Sequence, residues 1–212
     1  MSKKSELIQL FKEFKDRYST IQARIAEVQK SDAYTDIGRE QTIGKILEEF
    51  QPTVQLYHDK AIAAIDNGLT ALQAKWKANS AGRLADAGYQ IGLGNVIKMI
   101  EAGAIHDRDD MQNIIETYKD DYNAMATIKN ILPKSEQAMD FVGLIPADNR
   151  EQNKQLLGQL RNNADQYINA YRIENAMKSS DAFQGASSIV FAVDGMIEFA
   201  NTSLSDDLSL IQ

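Results

Sequence analysis

The chain has 212 residues, 43% hydrophobic and 25% charged, with no cysteine and a formal net charge of −7. This composition fits a packed globular protein and excludes disulfides, thiolate metal sites and cysteine nucleophiles. Residues 79–212 hold 11 basic and 19 acidic side chains against 12 and 11 in residues 1–78, and Lys3-Lys4 is the only basic doublet, so direct nucleic-acid binding is not expected.

The first predicted helix is capped by Ser2 or Ser5 and runs to about Lys30. Its apolar residues Leu7, Phe11, Phe14, Tyr18, Ile21, Ile25 and Val28 recur in alternating steps of four and three. That rhythm places them on one seam suited to left-handed helix-on-helix packing. No signal peptide is read in this charged, periodic opening. A polar turn over Ser31-Asp32-Ala33-Tyr34-Thr35-Asp36 follows. The second helix, from about Gly38 to Ala78, repeats the seam with Ile43, Leu47, Phe50, Val54, Tyr57, Ala61 and Ala64. Pro52 interrupts neither the spacing nor, in this reading, the helix, and produces a kink at most. After Tyr57 the seam shifts by one residue to Ile65, Leu69, Leu72 and Trp76, which turns a new face to a new neighbour. The two stripes describe a long antiparallel hairpin over residues 1–78.

Asn79-Ser80-Ala81-Gly82 reads as the domain boundary, with an acidic helical bundle over 79–212. The glycine-rich stretch around Gly88-x-x-x-Gly92 predicts a weak, bent or partly irregular helix. A helix from Asp109 or Asp110 carries Met111, Ile115, Tyr118, Tyr122, Met125 and Leu132 to Pro133. Ser135 caps a short helix with Phe141, Val142, Leu144 and Ile145. Asp148 and Glu151 form a capping-box-like start for one helix through about Lys178. The last helix, about Asp181 to Asn201, is apolar on most of its circumference: Phe183, Ala186, Ile189, Val190, Val193, Ile197, Phe199, Ala200. Such a helix is central to a bundle or lies in a subunit interface. The tail from Thr202 reads as a loose end or short docking segment, removable after Leu204 without loss of fold. The fold class expected is all-α, with no stretch apolar enough to span a membrane.

Catalytic and metal motifs fail on the residues themselves. Di-iron bundles use Glu-x-x-His, but Gln55 precedes His58 by three and Gly103 precedes His106 by three. An EF-hand loop from Asp107 needs Gly at its sixth position and Glu at its twelfth, where Gln112 and Tyr118 stand. Gly44-Lys45-Ile46 is no phosphate loop, and no Gly-x-Ser-x-Gly elbow exists. His58 beside Asp59 reads as a partly exposed polar pair. A pocket among Met99, Met125, Met139 and Met196 would serve a ligand carrier, but methionines at helical spacing more often fill cores. No cofactor and no enzymatic activity are expected.

The Lys/Glu-rich heptad opening, the Ser31-Asp32-Ala33-Tyr34-Thr35 break and the long Gly38 to Lys77 helix resemble small helical structural proteins of tailed bacteriophages and prophages. Those proteins are encoded among head and scaffold genes. The resemblance covers residues 1–78 and carries over no site residues. It implies a non-enzymatic particle component, of scaffold, accessory or connector type. Its partners would be itself and a capsid-type protein, in the host cytoplasm during assembly and in the virion. The seam residues and Trp76 are then the candidate helix-packing or interface positions. The alternative is a monomeric helical adaptor that keeps one face for another protein.

Overall fold

The computed structural model describes residues 1–132, 139–178 and 182–211 and is all-α. Helix α1 (Lys3–Lys30) starts where the Ser2 hydroxyl accepts from the Ser5 amide. Helix α2 (Asp36–Ser80) starts where Thr35 Oγ1 accepts from the Gly38 amide at 3.1 Å, and it passes through Pro52 unbroken. The Ser2 cap is the one expected, and Pro52 lies well inside α2, where the helix carries through it.

The chain forms two compact units, which do not coincide with the expected division at residue 78. One comprises residues 1–69 and 151–211; the other comprises residues 70–150. The boundary falls inside α2 rather than at Asn79-Ser80-Ala81-Gly82, where a 3-10 turn (Ala81–Ala85) simply continues the chain. Linkage through pairing explains the difference, because the late helices pack on the early ones.

In the first unit, Arg17 Nε donates to Tyr57 Oη at 3.2 Å, while Arg24, later on α1, approaches Glu49, earlier on α2, at 4.0 Å. The two helices are thus antiparallel. Helix α7 (Arg150–Tyr167) pairs antiparallel with α2 through His58–Asp165 at 2.9 Å and Arg161–Asp66 at 2.9 Å. Helix α8 (Ala170–Lys178) leads towards α9 (Ala182–Ser203), which packs along α1. Lys15–Asp194 at 2.6 Å and Lys4 Nζ to the Asn201 carbonyl at 2.9 Å set α1 and α9 antiparallel. The core of this unit is the pair of seams. Leu7, Phe11, Phe14, Tyr18, Ile25, Val28, Ile43, Leu47, Phe50, Val54 and Tyr57 are all buried.

The tail is structural, contrary to the loose end expected. After α9 it turns back, with Leu204 bridged to Leu210 and the Ile211 amide donating to the Ser203 carbonyl at 2.9 Å. Buried Asn153 grips it twice. Its Nδ2 donates to the Leu208 carbonyl at 3.2 Å, and its Oδ1 accepts from the Leu210 amide at 3.0 Å. Leu208 is fully buried with φ 69°, a left-handed conformation that costs a non-glycine residue roughly 1–2 kcal/mol. It sits on Gly68, where a Cβ would run into Leu208 Cδ1. The Leu side chain fills the space that Gly68 leaves empty, and the pair of Asn153 bonds offsets the backbone cost.

The second unit contains the end of α2, α3 (Ala87–Glu101), α4 (Arg108–Tyr118), α5 (Tyr122–Ile131) and α6 (Met139–Val142). Helix α3 is continuous despite its glycines, and Gly92 lets the Tyr118 hydroxyl approach to 3.1 Å of where a Cβ would lie. Its core gathers Ile105, Met111, Ile115, Tyr118, Met125, Ile128, Leu132 and Phe141. Two predicted helices are each split here or in the first unit. Asp121 accepts from the Asn123 and Ala124 amides and starts α5 afresh, and Asn169 Oδ1 accepts from the Arg172 amide and starts α8. In both cases a short polar side chain captures the backbone donors that a continuing helix would have used. The expected cap Ser135, and the Phe183 and Ala186 side chains, lie outside the described residues.

Candidate functional site

The seam positions do not form an open surface. All of them except Ile21, Ala64 and Leu69 are buried, Trp76 included, so they are the internal core of the fold. Ile21 lines a small polar groove between α1 and α2 with Arg17, Arg24 and Glu49.

In the first unit an open surface lies on α7 and α9. Two rows at the same four-three-four spacing face each other there: Leu156, Leu160, Asn163, Tyr167 on α7 and Ser188, Ala192, Gly195, Phe199 on α9. Because α2 is antiparallel to α7 and α1 is antiparallel to both α2 and α9, α7 and α9 are themselves antiparallel. Between them runs a groove of about 510 Å³, with Met196 and Leu160 buried at its floor and Phe191 standing at 81% exposure on its wall. Not one lining residue is charged.

The absence of charge follows from where the helices send their ionic side chains. On α7, Arg161 and Asp165 turn to Asp66 and His58 of α2; on α9, Asp194 turns to Lys15 of α1. Each pair is partly exposed and worth little stability alone. Their effect is to anchor both helices by their ionic side chains, which leaves the residues that line the groove between them uncharged.

His58 of this unit is held between two carboxylates. Its Nδ1 lies 3.0 Å from Asp59 Oδ1 and its Nε2 lies 2.9 Å from Asp165 Oδ1. Both ring nitrogens can donate only in the protonated ring. Burial opposes the charged form, but the two carboxylates outweigh it and raise the pKa above the ordinary histidine value. The carboxylates lie on opposite sides of the ring, so they cannot converge on one cation. Among the described residues no group of His, Asp and Glu side chains is arranged to hold a metal ion.

In the second unit, buried Asp121 also accepts from Tyr89 Oη at 2.7 Å, while Arg83 lies 5.0 Å from the Tyr89 ring centroid. Burial and the neighbouring carboxylate push the Tyr89 hydroxyl up to about 12. A tyrosine so held acts as a hydrogen-bond donor, and its role here is to lock α3 onto the start of α5. The methionines considered for a ligand pocket are placed separately, and the Met139 side chain lies outside the described residues. Met125 belongs to the core of this unit, Met196 to the α7/α9 groove, and Met99 is exposed.

Sequence reasoning passed over Phe191 and, on α7, Leu156 and Asn163. The rows include Asn163, Ser188 and Gly195, which a search for apolar residues skips, although the four-three-four spacing itself was present. The His58–Asp165 pair spans 107 residues and has no local signal.

No family model, no curated protein and no solved structure matches the chain. No helix among the described residues is long and apolar enough to cross a membrane.

Proposed function

We propose that the protein is a non-enzymatic structural or assembly protein that acts through helical contacts with other protein chains. The observation that carries this reading is the open, uncharged α7/α9 groove with Phe191 on its wall. Helix-in-groove recognition uses such a surface, with anchors spaced three and four residues apart, and an aromatic residue is a common energetic anchor of an interface. The likeness of residues 1–78 to head and scaffold-type phage proteins extends the reading to a particle component, whose partners are itself and a capsid-type protein. Neither nucleic acid nor a membrane enters this reading, and no cofactor is called for.

The test is site-specific photo-crosslinking in the cells that make the protein, with the reactive group placed in turn at Phe191 and at Ile91, an exposed residue on α3 of the second unit. Specific covalent adducts to protein at Phe191 are expected. The absence of any protein adduct at either position, in cells where the chain is folded and abundant, would overturn the reading.

A further inference from the structure

The last turn of α7 carries a charge that is unfavourable at the end of its own helix. Asp165 stands within the final four residues of α7 (Arg150–Tyr167), and that turn holds no basic residue. A carboxylate there faces the negative end of the helix dipole, where a cation is stabilising and an anion is not. Arg161, one turn earlier, is drawn to Asp66, and the Arg172 guanidinium of α8 lies 4.3 Å from the Tyr167 ring centroid. Among the described residues, the positive charge paired with Asp165 is therefore that of the His58 ring on α2. The two carboxylates that flank this ring are not equivalent. Asp59 also accepts from Gln55 Nε2 at 2.8 Å on its own helix, whereas the Asp165 carboxylate accepts no further bond among the described residues. A neutral ring carries one N–H, so without the added proton one carboxylate faces a nitrogen lone pair.

We propose that His58 is a proton-dependent fastener for the end of α7: protonated, it ties Asp165 to α2 and holds Tyr167 in place, and on losing the proton it releases both. The release is local. The Ile168 amide closes the turn on the Ala164 carbonyl at 2.9 Å, and both residues are fully buried, so the inner side of the turn stays seated. Residues 165–167 loosen on the outer side, just before the bend where Asn169 starts α8. Tyr167 ends the α7 row of the groove, so the proton on His58 sets how firmly that end is built. Burial opposes the charged ring, but Asp59 and Asp165 outweigh it and raise the pKa. The turn is therefore fastened while Asp165 is ionised and His58 is charged, and it loosens as pH rises through the folded value of the ring. This device depends on nothing that binds in the groove.

Carbon-13 and nitrogen-15 NMR of the full chain between about pH 5 and pH 9 is the test, since that range brackets a histidine and leaves carboxylates ionised. As the His58 ring loses its proton, the Cα shifts of Gln166 and Tyr167 should move from helical towards coil values with the same midpoint. Those of Leu157 and Leu160, earlier on α7, should stay fixed. The loosened population should rise roughly two- to fivefold, the size of one charge at a helix end. Asp165→Asn, at an exposed side chain, should keep the fold, abolish the response of the turn and lower the midpoint of the ring. Asp59→Asn should lower the midpoint yet keep the response, since the contact across to α7 remains. Shifts of the turn that stay flat while His58 titrates, or that still follow it in Asp165→Asn, would overturn the inference.

Discussion

Helix α1 of the first unit and helix α3 of the second make opposite use of apolar residues. α1 is the more polar of the two, yet Leu7, Phe11, Phe14 and Tyr18 are sealed completely. α3 is the more apolar, yet none of its residues is buried and Ile91 stands 65% exposed. The difference is in the neighbours. α1 lies between α2 and α9, which close over its seam from both sides. α3 turns Tyr89, Leu93, Val96 and Ile100 to the core formed around α4 and α5 and leaves its far face open. Apolar content decides whether a helix wants a neighbour; topology decides whether it gets one.

The largest effect that sharpens this contrast is a charge in the sealed seam. Phe14→Asp or Val54→Asp should cost more than about 4 kcal/mol, because an unpaired charge cannot be solvated there. Ile91→Asp on α3 should stay within about 0.5 kcal/mol. Urea denaturation followed by circular dichroism measures all three, and equal losses would erase the distinction. Next in size is Leu208→Ala, or removal of the residues after Leu204, each expected to cost about 2–5 kcal/mol by emptying the site over Gly68. An unchanged midpoint would mean that the tail is dispensable after all. In the second unit, Asp121→Ala removes the cap of α5 and the partner of the Tyr89 hydroxyl, for about 1–3 kcal/mol. Thermal melting monitored at Trp76, which belongs to that unit, should show the loss.

The smallest effect is electrostatic. His58 has a raised pKa in the folded chain, so its contribution is fully present below the ordinary histidine value of about 6.5. It is lost as pH rises through the higher folded value. Melting temperature should therefore fall as pH rises through this window, and His58→Gln should flatten the slope. A slope unaltered by that substitution would place the pH dependence elsewhere.

Much of the fold was legible in the residues, for stated reasons. Steps of four and three named the buried seams of α1 and α2 almost residue for residue, since a helical stripe needs only local information. Ser2, Asp148 and the tolerated Pro52 were legible because caps and breakers act within one turn. Asp121 and Asn169 were missed because each sits inside an unbroken apolar rhythm, which a new cap does not disturb. The tail was misread because its hold comes from Asn153 and Gly68, distant residues with nothing in their neighbourhood to mark them. The open groove was legible in spacing but concealed in composition, since glycine, serine and asparagine occupy half of its rows' inner positions on α9 and one on α7.

The interrupted layout of the first unit has a consequence during synthesis. Residues 1–69 leave the ribosome well before their partners, since α7 follows only after roughly 80 further residues and α9 after roughly 110. At about 5–20 residues per second the delays are roughly 4–16 s and 6–22 s. Through that interval the nascent hairpin shows the ribosome-bound cell two uncovered flanks, and the intervening unit has time to fold first. Leu208 then arrives last of all and locks into the place over Gly68.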